Sequence, residues 1–177
     1  LGEHFFGAND LTKARKAYEG ALESSKDDPR VYNFALYKLA WCDYNGGDFE
    51  GSLQKFQKVV ELSEQQKKKN EVALKFEALN DMVLAWQKLE AIEEANGYYK
   101  RKASRKDARR YFSKLANRYY DDGGYDNAIK SFRILINEEP NDPKCPEFQS
   151  NIVRSFEGLR QRVQVFDEMK VLVANYK

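Results

Sequence analysis

One spacing recurs along this chain, and it limits the possible folds more than any other feature. In the stretch ANRYYDDGGYDNAIKSF, residues 116–132, Tyr125, Ala128 and Phe132 stand at i, i+3 and i+7, with Leu115 and Ala116 about nine residues upstream. Leu11, Ala14 and Tyr18 follow Leu1 and Gly2 in the same way, and Phe49, Ser52 and Phe56 follow Leu39 and Ala40. A looser copy has Ile92, Ala95 and Tyr99 after Met82 and Val83. In the last copy Val165, Met169 and Leu172 follow Ile152, Val153 and Phe156, with Arg162 where an aromatic is expected. The anchors Leu11, Phe49, Ile92, Tyr125 and Arg162 lie 38, 43, 33 and 37 residues apart. That period, with a rhythm of three and four inside it, predicts helix–turn–helix repeats.

The residue types suit such a repeat. Gly2, Ala40 and Ala116 are small enough to let the second helix of a pair (helix B) approach the first (helix A), and Ala14, Ser52, Ala95 and Ala128 do the same from the other side. The aromatics of helix B then fill the space between pairs, and stability comes from stacking neighbours. GAND, NGGD and DDGG sit where helix A should end, and glycine reverses a chain there because it takes positive φ without steric cost. Asp10, Asp48 and Asp126 are placed to cap or open helix B. NEEPNDPKCP, residues 137–146, carries three of the four prolines and should end the fourth helix B, as SSKDDP should end the first.

Two stretches depart from the pattern. Val72, Leu74, Phe76 and Leu79 extend the rhythm upstream of Met82, so helix A of the third copy is expected to be long, after a loop holding Lys67, Lys68 and Lys69. Gly97 falls inside the following helix B, where it costs about 1 kcal/mol relative to alanine. That helix is expected to be short or irregular.

Composition agrees with a helical protein. Apolar residues make up 42% and charged residues 33% of 177, and 30 basic side chains against 28 acidic ones leave a net charge of +2. No global field steers the chain to nucleic acid or membrane. Cys42 and Cys145 form no metal spacing and read as idle buried thiols, although one disulfide is open to them. No apolar run approaches the roughly 20 residues that span a bilayer. Leu1 stands where a methionine would, so the chain reads as part of something longer.

The small residue in helix A and the aromatic–alanine–aromatic set in helix B resemble the tetratricopeptide repeat over nearly the whole chain. The resemblance implies an all-α, right-handed α-solenoid of antiparallel helix pairs. About five repeats are expected, at 1–29, 30–66, 70–103, 105–143 and 146–177, in a single domain with the first copy truncated. It also implies a protein or peptide partner on a concave face lined by helices A. By repeat register that face holds Phe34, Tyr37, Trp41, Tyr44 and Asn45, then Asn80, Leu84 and Gln87, then Arg110, Ser113, Asn117 and Tyr120. The family's carboxylate clamp is incomplete, because Ser113 replaces its lysine although Asn117 fits. ALYKLAWCDYNGGDFEGSLQKFQKVV, EALNDMVLAW and PEFQSNIVRSF further resemble bacterial envelope repeat proteins of the myxobacterial adventurous gliding-motility type. They are more distantly similar to the lipoprotein that helps assemble outer-membrane β-barrels. This implies a periplasmic or outer-membrane-associated scaffold, with the cytoplasm as the alternative.

Catalytic chemistry finds little support. His4 is the one histidine, and no nucleophile elbow, phosphate loop or zinc motif is present. Asp121 and Asp122 lack the spaced ligands of a calcium loop, so no metal or cofactor is expected and the chain reads as a non-enzyme. The local anomaly is charge. Lys100, Arg101, Lys102, Arg105, Lys106, Arg109, Arg110, Lys114 and Arg118 stand against Asp107 between residues 98 and 118, with aromatics interleaved. Three readings stay open: a solvated face beside Glu90, Glu93 and Glu94, a surface for an acidic protein or anionic layer, or a nucleic-acid adaptor.

Overall fold

The structure, a computed structural model, describes residues 1–65 and 69–176, with side chains from Leu74 onward in the second span. Lys67 and Lys68 of the expected lysine loop lie outside the described residues. All the regular structure described is helical: α1 (Gly2–Gly7), α2 (Leu11–Ser24), α3 (Pro29–Asn45), α4 (Phe49–Gln65), α5 (Lys69–Leu89), α6 (Ile92–Lys102), α7 (Arg105–Asp121), α8 (Tyr125–Glu138), α9 (Cys145–Gly158) and α10 (Arg162–Asn175). Each anchor named above is the first residue of an even-numbered helix. α5 runs for 21 residues and α6 for only 11, as the long and short helices of the third copy should.

The contacts resolve into two compact units, Leu1–Leu89 and Glu90–Lys177. The division falls inside the third copy, so α5 belongs to the first unit and α6 to the second. In the first unit α1 packs on α2, α2 on α3, α3 on α4 and α4 on α5. In the second, α6 packs on α7, α7 on α8, α8 on α9 and α9 on α10. Within each unit sequential neighbours do most of the packing, and α3 also touches α5.

The turn inside each hairpin has one backbone solution. Asn9, Gly47, Glu90, Gly123 and Arg160, each two residues before an anchor, all have φ between 52° and 85°. Asp10 donates its N–H to the Phe5 carbonyl at 2.9 Å and Asn9 to that of Phe6 at 3.0 Å. Asp48 and Gly47, Gly124 and Gly123, and Gln161 and Arg160 repeat those two bonds. This is the Schellman pairing that closes a helix with one left-handed residue. The next residue then opens helix B. Asp10 Oδ1 accepts from Lys13 N–H at 3.1 Å and Asp48 Oδ1 from Gly51 N–H at 2.8 Å. Asp126 lies inside the first turn of α8, and Gly124 occupies the cap. Between repeats, Asp28 caps α3 and Pro29 opens it, while Pro146 sits in the first turn of α9.

The repeat positions make the core. Ala14, Ser52, Ala95 and Ala128 are fully buried, and so are Ala40 and Ala116 on helix A. Tyr18 packs so close to α1 that a Cβ on Gly2 would lie 2.6 Å from its ring. Phe132 stacks on Phe148 at 5.6 Å, and Tyr99 meets Tyr111 at 5.3 Å. The fifth copy differs. Met169 takes the place of those aromatics yet is 48% exposed, with Phe166 at 62%, because no further helix A covers α10 among the described residues. Cys42 and Cys145 are buried free thiols.

One core position breaks the pattern. Six residues before each anchor stand Phe5, Trp86, Tyr119 and Phe156, but the second copy has Asp43 there. Its side chain is 1% exposed and pairs with Arg15 at 2.6 Å and Lys55 at 2.5 Å. A carboxylate this deep is tolerated only with partners of that kind.

Candidate functional site

In the first unit, Phe34, Tyr37, Trp41 and Tyr44 follow one another at three, four and three residues, which places them on one face of α3. The buried residues of α3, from Asn33 to Asp43, lie on its other faces. Phe34 is exposed and the other three are half-buried. The Lys38 ammonium sits 5.3 Å over the Phe34 ring. Trp41 meets Tyr44 edge-on at 5.8 Å and Phe56 at 5.9 Å, so its inner edge is packed and the remainder faces solvent. Asn45 ends the helix and is exposed.

α5 supplies the neighbouring wall. Tyr37 donates its hydroxyl to Asp81 Oδ2 at 2.6 Å, and Asn80 Nδ2 donates to Asp81 Oδ1 at 3.0 Å. Burial, then that hydrogen bond to Asp81, pushes the Tyr37 phenol far above its ordinary value. Leu84 is half-buried one turn further on. Gln87, expected on the open face, is buried. Met82, Val83, Ala85, Trp86 and Gln87 are all buried, and residues 100° apart cannot share one stripe, so this end of α5 is enclosed on several sides. Asp81 was not a sequence candidate. An acidic residue one step from a face position looks like ordinary helix surface until Tyr37 is seen to reach it.

The second unit carries the same register on α7, with different chemistry. Arg110 is exposed, Asn117 and Tyr120 are half-buried, and Ser113 is buried. Ser113 is too short to rise past its neighbours, and it contributes to the wall of a cavity of about 490 Å³ between α7 and α9. Tyr120 meets Tyr125 edge-on at 6.0 Å, which joins the end of α7 to the start of α8.

The basic segment is neutralised in part, and not by the acids expected. Lys100 pairs with Glu138 at 2.5 Å, Arg105 with Glu139 at 2.6 Å, Arg109 with Asp142 at 2.5 Å and Arg110 with Asp107 at 3.0 Å. Three of those four carboxylates come from the end of α8 and the proline loop. Glu93 instead takes Lys130 at 2.7 Å. Burial raises the Asp142 carboxyl, but hydrogen bonds from the Lys144 N–H and from Arg109 outweigh it and hold the group below its ordinary value. Arg101 and Lys114 are exposed, and Lys102 and Arg118 are half-buried. With its cations so committed, the segment is a poor continuous track for phosphates.

Among the described residues no group of metal-ligating side chains comes together. His4 is exposed on the short α1, and Asp121 and Asp122 end α7 and enter its turn. No described helix is long and apolar enough to cross a membrane.

Against known proteins, residues 1–67 match the tetratricopeptide repeat family. No curated protein matches the sequence. Among solved structures, a Podosopora anserina chain assigned as a kinesin light chain with nearly identical TPR-like repeats is similar in fold at 12% identity and TM-score 0.54. That match covers 99% of this chain and 91% of the other. BtubC (BKLC) from P. vanneervenii is similar at 15% identity and TM-score 0.54, covering 99% and 76%. MamA is similar at 18% identity and TM-score 0.51, covering 99% and 87%.

Proposed function

We propose that this chain, whose residues 1–67 match the tetratricopeptide repeat family, is a non-catalytic scaffold holding a protein or peptide segment along the aromatic face of α3 and its α5 wall. One observation carries the reading. Four aromatic side chains lie in one line on α3, none is fully buried, and a hydrogen-bonded Tyr37–Asp81 pair fixes the edge. Aromatics held rigid by their inner edges present contact area at little entropic cost, which is how interface anchors work. The resemblance to envelope repeat proteins supports a periplasmic or outer-membrane-associated complex, and the likeness to gliding-motility proteins points to that class of machine.

The test is a photo-crosslinking residue at position 34, used to trap the partner from native envelope and cytosolic fractions, followed by binding measurements with the purified partner. Trp41→Ala should weaken that binding about tenfold or more, the size of a modest interface anchor, with the far-ultraviolet dichroism unchanged. Loss of helicity would make Trp41 a core residue, and unchanged affinity would remove the α3 face from recognition. A partner trapped only from cytosol would overturn the envelope placement.

A further inference from the structure

We propose that the cavity between α7 and α9 is a second docking site, one that takes an acidic segment of a partner protein and seats a carboxylate between Lys106 and Lys144. The site lies within the second unit and is separate from the aromatic face of α3, but it rests on reading the chain as a protein-binding scaffold.

Charge makes the case first. Five cations line the cavity or its rim, Arg105, Lys106, Arg109, Arg110 and Lys144, and three are already satisfied by Glu139, Asp142 and Asp107. The Lys106 and Lys144 ammonium groups make no ion pair among the described residues and both are exposed, although the Lys144 charge also acts at longer range on Asp142. The protein's own acids therefore leave a positive remainder at the mouth of a cavity of about 490 Å³. That volume falls within the usual range for ligand sites, roughly 300–1,000 Å³.

The floor is built, not incidental. The Arg109 side chain is only 13% exposed. Its Nε donates to Asp142 Oδ2 at 2.5 Å and its Nη1 to the Leu135 carbonyl at 2.8 Å, and its guanidinium lies 5.5 Å over the ring of Phe148. Nη2 is buried, and the guanidinium also meets the Cys145 thiol. Two helix N-termini add to the attraction. α7 starts at Arg105, and α9 starts at Cys145 with no side chain capping it, so the positive ends of both dipoles lie at this cavity. A flexible acidic segment fits such a seat better than a nucleic-acid backbone, whose evenly spaced phosphates would meet Glu139, Asp142 and Asp107 on the same wall.

The probe is a fluorescein-labelled hexaglutamate peptide, titrated against the full chain by anisotropy at low and at physiological salt. A hexaserine peptide and a mixed-sequence single-stranded oligonucleotide serve as controls. Salt-sensitive binding of hexaglutamate is expected, with none of hexaserine. Lys106→Ala with Lys144→Ala should weaken it roughly tenfold, about threefold for each rim charge. Arg154→Ala with Lys16→Ala removes the same charge elsewhere and should leave affinity unchanged. Equal loss in both double variants, no binding at low salt, or an oligonucleotide that binds more tightly than the peptide would each overturn the proposal. Trp41→Ala should bind hexaglutamate as the parent does. If hexaglutamate fails while the position-34 partner still binds through Trp41, only the second site falls.

Discussion

α3 in the first unit and α7 in the second carry the same four register positions, fifteen, twelve, eight and five residues before their anchors. On α3 these are Phe34, Tyr37, Trp41 and Tyr44, and on α7 they are Arg110, Ser113, Asn117 and Tyr120. The backbone beneath is equivalent: 17-residue helices closed by Schellman turns at Gly47 and Gly123. The chemistry is nearly opposite. Repeat architecture therefore fixes where a side chain can be offered to a partner and leaves open what is offered. The cores show the complementary difference. The second unit has Tyr119 and Phe156 six residues before the anchors, while the first unit replaces one such aromatic with the ion-paired Asp43.

That difference can be broken at three levels, beginning with the core. Asp43→Ala leaves Arg15 and Lys55 without their shared carboxylate and opens a gap in the core, and should destabilise the protein by about 2–4 kcal/mol. Hydrogen exchange should show the largest loss of protection in α2, α3 and α4. Asp43→Phe, which restores the aromatic of the other copies, should cost less, roughly 1–3 kcal/mol of overpacking, because Arg15 and Lys55 are 38% and 32% exposed and can turn to water. Both variants lack the carboxylate, so equal costs would mean that the refilled volume contributes nothing and the lost ion pairs account for the effect.

The turns should behave alike in both units. Gly47 and Gly123 have open space where a Cβ would go, so alanine at either meets only the penalty of positive φ. Each substitution should cost about 1 kcal/mol in urea denaturation. Arg160→Gly, at the equivalent position with φ 58°, should be neutral or slightly stabilising. A loss at Arg160 matching that at Gly123 would show that its side chain, not its backbone, matters.

The smallest effect is alkaline. Burial comes first in raising Tyr18, Tyr37 and Tyr119, reinforced by Glu3, by Asp81, and by Glu90 with Glu93 respectively. A raised tyrosine favours the folded state fully below the unfolded value near 10 and loses that contribution as pH climbs towards the folded value. Phenolate absorbance should thus lag a free-tyrosine curve above pH about 10, and stability should decline over the same interval. All 11 tyrosines titrating together at the ordinary value would refute the buried geometry.

Much of the fold could be read from residue order. Gly2, Ala40 and Ala116, the alanines of helix B and the paired aromatics mark their own positions, because close approach demands small side chains and the gaps demand large ones. GG in two turns marked the left-handed residue. Asn9, Glu90 and Arg160 hid it, since closing the same hydrogen bonds overrides their local preference. The two faces were legible as register positions. Gln87 and Ser113 were misplaced because register says nothing of how many neighbours enclose a helix end.

By itself the sequence determined the period, the pairing of each helix with the next, and which side chains could be shown. Only tertiary structure decided how the charges were spent. Glu138, Glu139 and Asp142 lie some thirty residues from the cations they neutralise, and Coulomb attraction depends on distance through space, not along the chain. That arrangement pairs Lys100, Arg105, Arg109 and Arg110 within the fold and leaves Lys106 facing Lys144 across the cavity mouth.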